Sequence, residues 1–80
     1  MPRYFFDFRS DGVLSTDDEG LELSDADAAP EQAVGALADG ICDSVLQGAN
    51  DQHFAVEVRD DLGRVLQVSA VLESKFFRKQ

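Results

Sequence analysis

Alternation of apolar and polar residues near the start of the chain predicts a β-hairpin. Residues 3–9, RYFFDFR, place an aromatic side chain at every second position, so that one face of the strand is apolar. Turn residues follow at positions 10–12, SDG, and residues 13–23 continue as a shorter strand that is interrupted by DDEG at 17–20. We therefore expect a hairpin over residues 1–23.

A second hairpin is predicted over residues 53–74. Residues 53–59, HFAVEVR, alternate without a break, and DDLG at 60–63 is a turn in which Gly63 suits a left-handed backbone conformation. In the last strand, residues 64–73, one face carries Leu66, Val68, Ala70 and Leu72 towards the core, and the other carries Val65, Gln67, Ser69 and Val71 away from it.

Between the hairpins, apolar residues at spacings of three and four predict one amphipathic helix over residues 24–47. Its apolar stripe consists of Ala33, Val34, Leu37, Ala38, Ile41 and Val45. Pro30 is tolerated only in the first turn, so we expect Asp27 to be the N-cap, preceded by a loose turn. Gly35 and Gly40 are expected to let the helix lie close to the sheet.

The element order ββαββ predicts an α+β fold, in which two hairpins form an antiparallel sheet with one amphipathic helix on one face. A chain of 80 residues buries a core that one sheet and one helix can fill, so we expect a single domain over residues 1–80. The end of the chain, residues 75–80, is a basic tail.

Charge is distributed unevenly along the chain. The net charge of −9 argues against nucleic-acid binding, which needs a basic surface. Between Arg9 and Arg59 there are twelve acidic residues and no Lys or Arg. A basic protein partner could therefore bind an acidic surface, for which the candidate residues are Asp17, Asp18, Glu19, Asp39 and Asp43.

The outer face of the sheet is a second candidate surface, made of Arg3, Phe5, Arg9, Arg59, Val65 and Val71. Basic residues beside an aromatic ring resemble surfaces that stack single-stranded RNA, but one Phe is a small platform and nearby acids cancel the charge. A solvated face and a protein-binding face are the other two interpretations. The apolar side chains favour a protein partner or self-association, and we expect a homodimer or a subunit of a larger assembly.

The residues do not form a recognisable catalytic, metal or cofactor site. An EF-hand needs oxygen ligands at positions 1, 3 and 5, Gly at 6 and Glu at 12, and neither Asp17 nor Asp25 as position 1 fits this spacing. Cys42 and His53 have no third group to orient them, so we expect Cys42 to be packed and His53 to be solvated. We expect no enzyme activity and no cofactor.

Targeting signals are also missing from the pattern. No apolar stretch reaches the length of a membrane span, and the start of the chain lacks the features of a signal peptide. With a single cysteine, the chain is expected to be cytoplasmic and not bound to a membrane. In the tail, we expect either that Phe76 or Phe77 folds back onto the core, or that the tail docks against the acidic helix of a neighbouring subunit.

Three segments together resemble a known family: the start MPRYFFDFR, GLEL at residues 20–23, and VEVRD at 56–60 followed by Gly63. The chain resembles a family of small bacterial domains of unknown function that is frequent in alphaproteobacteria. This resemblance implies a cytoplasmic standalone module and supplies no catalytic residues. A weaker likeness is to HicB-type antitoxins, which usually carry an additional DNA-binding element that this chain has no room for.

These observations predict a noncatalytic protein-interaction or regulatory module. The alternative is an antitoxin-like or nucleic-acid-mimicking inhibitor, in which the acidic surface occupies the basic site of a nuclease or regulator.

Overall fold

The predicted α+β architecture is confirmed in the computed structural model, which describes residues 2–48, 50 and 52–78. These residues form an antiparallel sheet of five strands and one α-helix. In chain order the elements are β1 Arg3–Ser10, β2 Val13–Ser15, β3 Leu21–Glu22, α1 Ala29–Leu46, β4 His53–Asp60 and β5 Gly63–Val71. The predicted irregular second strand is thus divided into β2 and β3.

The sheet has the strand order β2-β1-β4-β5, and β3 pairs with the first residues of β1 on the same edge as β2. A two-residue turn joins β1 to β2, and its residues Asp11 and Gly12 have φ values of +46° and +91°. A turn with two left-handed residues matches the twist of a hairpin, which explains the Asp-Gly sequence. Gly63, with φ of +120°, fits the second predicted turn.

The core lies between α1 and one face of the sheet. Its buried residues are Tyr4, Leu23, Ala29, Ala33, Leu37, Phe54, Val56 and Val58. Phe6 and Phe8 pack against this cluster, so the predicted inward faces of β1 and β4 are confirmed. The alternation predicted these faces correctly because burial on one side of a strand forces a period of two.

The start of the helix differs from the prediction. Asp25 accepts a hydrogen bond from the Asp27 N–H at 3.0 Å and begins a 3₁₀ turn over Ala26–Ala28. The α-helix then begins at Ala29, with Pro30 in its first turn as predicted. Asp27 is therefore not the N-cap, because the Asp25 carboxylate takes its N–H and starts the turn two residues earlier.

The buried face of α1 is centred on Ala29, Ala33 and Leu37, and the predicted apolar stripe is wrong at one margin. Val34 and Val45 are 55% and 52% exposed, and Ala38 is also exposed. Each residue turns about 100° further around a helix, which carries Val34 away from the sheet when Ala33 faces it.

The two helix glycines have different surroundings. Gly40 lies against the ring of Phe8, and a Cβ atom at this position would overlap the ring. The prediction that Gly40 brings the helix close to the sheet is confirmed. A Cβ atom at Gly35 would meet nothing within 4 Å, so the same prediction is wrong for Gly35.

An irregularity in β5 changes the direction of Val65. Val58 pairs with Leu66 while Arg59 pairs with Arg64, which leaves Val65 as an extra residue. Such a bulge disturbs the alternation of side chains. Val65 therefore packs against the core cluster, contrary to its predicted place on the outer face.

The chain leaves the sheet after Val71, two residues earlier than predicted. Val71 pairs with His53, the first residue of β4, and the Leu72 N–H still donates to the Gln52 carbonyl at 2.7 Å, but β4 does not extend beyond this point. Leu72 is 38% exposed instead of packed in the core. Phe76 and Phe77 are 81% and 92% exposed, so the expectation that one of them folds back onto the core is wrong. Lys79 and Gln80 of the predicted basic tail lie outside the described residues.

Candidate interaction surfaces

Ion pairs cross the outer face of the sheet, on the side away from α1. Arg59 Nε lies 2.8 Å from Asp7 Oδ2, and Arg9 Nε lies 3.0 Å from Glu57 Oε2. Towards the strand edges, Arg3 pairs with Glu22 at 3.2 Å and Arg64 pairs with Glu57 at 3.5 Å. Each arginine of β1, β4 and β5 thus has an acidic partner, so this face offers little unpaired positive charge to a ligand.

A buried carboxylate anchors one half of that face. Asp7 is 6% exposed and receives hydrogen bonds from Arg59 and, at 2.9 Å, from the Asp17 N–H. The guanidinium of Arg59 also donates to the Asp17 carbonyl at 2.8 Å and lies 4.5 Å from the centre of the Phe5 ring. Arg59 and Phe5 therefore bind each other and the turn after β2 instead of presenting an open binding face.

The Asp17 carboxylate fills a gap in the sheet edge. It accepts hydrogen bonds from the N–H groups of Phe6 at 3.1 Å, Glu19 at 3.1 Å and Gly20 at 3.3 Å. Phe6 lies between the part of β1 that pairs with β3 and the part that pairs with β2, so a side chain replaces the missing strand there. The interpretation of residues 17–20 as a structural polar turn is confirmed.

Gly20 allows this turn to lie flat against β1. Its φ is +74°, and a Cβ atom would lie 3.0 Å from the Tyr4 carbonyl oxygen and 2.9 Å from the Arg3 Cγ atom. Only glycine adopts this backbone conformation at no steric cost and also leaves room for the neighbouring strand.

An open groove lies between α1 and the edge of the sheet at β3. Its volume is about 320 Å³, and its lining residues are Phe6, Leu21, Glu31, Gln32, Gly35, Ala36 and Asp39. The helix residues of the groove recur at spacings of three and four, so they share one side of α1. Gly35 widens the groove because it has no side chain. We call this the α1–β3 groove.

The α1–β3 groove combines apolar and acidic groups. Phe6, Leu21 and Ala36 supply apolar surface, and Leu21 is 42% exposed. Glu31 and Asp39 are exposed and make no ion pair with any residue that the structure describes. The groove therefore suits a ligand that carries both apolar and positively charged groups.

A smaller recess of about 250 Å³ lies at the end of the sheet nearest the β1–β2 turn. Arg9, His53, Gln67, Ser69 and Val71 are among its lining residues, and Ala55 is buried in it. Arg9 is already paired with Glu57 there, so the recess has less unpaired charge than the α1–β3 groove.

Comparison with known families gives one match. A family model described as a domain of unknown function, DUF6894, matches residues 3–71. The chain belongs to the DUF6894 family. No curated protein and no solved structure matches it. The predicted resemblance to small domains of unknown function is confirmed, while the alphaproteobacterial origin and the likeness to HicB-type antitoxins stay predictions.

The boundary of the DUF6894 match coincides with an element boundary. The match ends at Val71, which is also the last residue of β5. The segment Leu72–Arg78 therefore lies outside the matched part of the chain.

The acidic residues predicted as one surface lie in two places on the DUF6894 domain. Asp18 and Glu19 are exposed in the turn after β2, whereas Asp39 and Asp43 are exposed one helical turn apart on α1. Asp17 is half-buried, and its carboxylate is occupied by backbone N–H groups. Sequence reasoning missed Glu31 and the apolar floor of the groove, because the strand residues Phe6 and Leu21 meet α1 only in the folded domain.

Other chemistry-bearing residues are isolated. Cys42 is exposed, contrary to the prediction that it is packed, because it lies on the side of α1 opposite the core. His53 is exposed as predicted. Among the residues described, no three His, Cys, Asp or Glu side chains converge on a point where a metal ion could bind.

The helix of the DUF6894 domain is not a membrane span. Over the described part of the chain, no helix has both the length and the apolar character needed to cross a bilayer.

Competing effects set the pKa of Asp17. Burial of the carboxyl group raises its pKa, but the backbone N–H donors of Phe6, Glu19 and Gly20 and the charge of Arg59 lower it by more. The pKa of Asp17 therefore lies below its ordinary value. The carboxylate form is the one that holds the turn on the sheet edge.

Replacing Asp17 by asparagine is expected to destabilise the domain by about 1–2 kcal/mol at neutral pH, because charged acceptors make stronger hydrogen bonds than neutral ones. The pKa of Asp17 in the folded state lies below the unfolded value of about 3.9. The extra unfolding free energy of wild type over Asp17→Asn is therefore fully present above the unfolded pKa. It is lost as the pH falls through the folded pKa. Urea unfolding of both proteins between about pH 6 and pH 2 measures how their unfolding free energies approach each other as the pH falls.

The matched control is Asp18→Asn, which removes the same charge from an exposed neighbour. We expect it to change the unfolding free energy by less than about 0.5 kcal/mol. A difference between wild type and Asp17→Asn that stays constant over the whole pH range would contradict the role of the Asp17 carboxylate.

Proposed function

We propose that this protein is a noncatalytic protein-interaction module, and that its α1–β3 groove binds a partner segment that carries aromatic and basic side chains. The observation behind this proposal is the combination of an apolar floor with Glu31 and Asp39, whose carboxylates have no partner among the described residues. From the sequence we also infer a bacterial, cytoplasmic protein.

The physical argument begins with the apolar floor. An aromatic ring placed against Phe6, Leu21 and Ala36 would remove apolar surface from water on both sides, at roughly 25 cal/mol for each Å² covered. The acidic residues that line the groove add an electrostatic contribution. Cations beside Glu31 and Asp39 would gain an attraction that the net charge of −9 reinforces at longer range.

The outer sheet face is a weaker candidate for the same role. Its arginines are already paired with Asp7, Glu22 and Glu57, so a ligand would have to compete with contacts inside the molecule. The outer face also exposes fewer apolar side chains than predicted, because Val65 packs against the core cluster.

The alternative of an inhibitor that mimics nucleic acid uses the exposed acids but gives the apolar floor no role. The two functions differ in their salt dependence. A purely electrostatic complex dissociates when salt screens the charges, whereas an aromatic side chain in the groove retains part of its affinity.

Binding can be tested with a synthetic peptide that contains two aromatic residues flanked by lysines and that does not copy any segment of this chain. Titration by fluorescence anisotropy at low and high salt is expected to give saturable binding. The affinity should fall with salt but remain measurable. A peptide in which alanines replace the aromatic residues should bind only at low salt.

A groove variant with a matched control shows where the peptide binds. Gly35→Lys places a cation in the groove, and its Cβ atom would meet nothing within 4 Å. Val34→Lys adds the same charge on the neighbouring residue, which does not line the groove. We expect Gly35→Lys to weaken binding by about tenfold or more, which corresponds to about 1.4 kcal/mol, and Val34→Lys by much less. Equal effects of the two variants would contradict binding in the α1–β3 groove.

A further inference from the structure

We propose that the segment Leu72–Arg78 of one copy of this chain binds in the α1–β3 groove of a second copy, so that the protein forms a homodimer by exchanging these segments. This inference rests on the proposed function, and it names the partner as a second copy of the same chain.

The segment projects from the domain with its aromatic residues uncovered. All of its residues are exposed, and Phe76 and Phe77 are adjacent at 81% and 92% exposure. The longest dimension of the molecule is 54 Å, whereas a strand of nine residues spans only about 30 Å. Two neighbouring Phe rings in water favour a partner that covers them.

The chemistry of the segment complements that of the groove. Lys75 and Arg78 flank the two rings, and the Lys75 Nζ atom lies 5.4 Å from the centre of the Phe77 ring. The groove presents Glu31 and Asp39 around an apolar floor, in a volume of about 320 Å³. Pockets that hold small ligands start at roughly this size, so the groove has room for one aromatic side chain with part of its flanking backbone.

The geometry favours the groove of a second copy over the segment's own groove. The segment leaves the sheet at Val71, which is level with His53 near the C-terminal end of α1. Phe6, which lines the groove, pairs with Val58 of β4, and Val58 pairs with Leu66 of β5. The groove therefore lies at the level of Leu66 along the strand direction. To reach its own groove the segment would have to reverse for about 17 Å along the strand direction and also cross two strands.

Exchange between two copies needs no such reversal. If a two-fold axis relates the copies, each segment enters the groove of the other, and both contacts form together. The second contact is then intramolecular, so two modest contacts give a stable pair.

The experiment measures the mass of the full chain by size-exclusion chromatography with light scattering. We expect wild type to approach twice the monomer mass of 8.8 kDa as its concentration rises. The double variant Phe76→Ser/Phe77→Ser removes the rings from a segment that makes no core contact, and Gly35→Lys obstructs the groove. Both are expected to remain monomeric, and Val34→Lys to dimerise like wild type.

Mixing the two monomeric variants tests the exchange itself. The Phe76→Ser/Phe77→Ser protein keeps an intact groove and the Gly35→Lys protein keeps an intact segment, so the mixture can form a heterodimer with one working contact. Because the second, intramolecular contact is absent, we expect this heterodimer only at a higher concentration than the wild-type homodimer needs. Circular dichroism confirms that both variants are folded. Two variants that stay monomeric when mixed at concentrations far above the one at which wild type dimerises would overturn the exchange.

The outcomes also separate this inference from the proposed function. Saturable binding of the unrelated aromatic peptide by a protein that is monomeric at all concentrations leaves the groove as a binding site but overturns self-exchange. A dimer that persists in the Phe76→Ser/Phe77→Ser variant also overturns self-exchange, because another surface then joins the copies. Failure of both peptide binding and dimerisation overturns both proposals.

Discussion

Replacing Arg59 by methionine is expected to lower the free energy of unfolding by about 3 kcal/mol. The change leaves the Asp7 carboxylate, which is 6% exposed, without its ion pair, and it removes the donor to the Asp17 carbonyl. A charge that stays buried without a partner costs more than the pair contributes. Domains of this size are stable by about 4–12 kcal/mol, so the loss is a large fraction of the total.

Arg64→Met is the control for this prediction. Arg64 also pairs with a carboxylate, but its side chain is 81% exposed and the distance to Glu57 is 3.5 Å. Exposed ion pairs contribute about 0–1 kcal/mol, so we expect a small change in urea unfolding. Similar losses for the two variants would show that the burial of Asp7 does not decide the result.

Alanine at Gly40 and alanine at Gly35 are expected to change stability in opposite directions. At Gly35 the Cβ atom enters open space, and the gain in helix propensity stabilises the domain by about 0.5–1 kcal/mol. At Gly40 the Cβ atom overlaps the ring of Phe8, which packs against the core cluster. The ring has to move, at a cost of about 1–3 kcal/mol that exceeds the gain in propensity.

The two glycine variants share one helix and one chemical change, so each is the control for the other. Thermal or urea unfolding gives the sign directly. Stabilisation by Gly40→Ala would show that Phe8 moves aside at little cost and that the close approach of α1 to β1 is not fixed by this glycine.

Local patterns predicted the strands and their inward faces because these depend on side-chain alternation alone. Tyr4, Phe54 and Val56 are buried where a period of two places them. Errors arose where one more interaction decided the outcome. The bulge in β5 turned Val65 inward, and the Asp25 carboxylate moved the start of the helix. Neither effect has a signature in hydrophobic periodicity.

The candidate site was predictable only in part. The acidic character of the helix was evident, and Asp39 lies in the α1–β3 groove. The apolar floor of that groove combines Phe6 of β1, Leu21 of β3 and Ala36 of α1, so a pattern along one segment could not reveal it. For the same reason, the burial of Asp7 under the turn after β2 was missed.

The turn held by Asp17 also bears on aggregation. An unpaired N–H group on a strand edge is a place where another chain can add a strand, and repeated addition leads to fibrils. The Asp17 carboxylate accepts the Phe6 N–H at such a position, and Gly20 keeps the turn against β1. The turn thus shields the exposed edge of β1 from other chains, and acid, which protonates Asp17, would remove stability and this protection together.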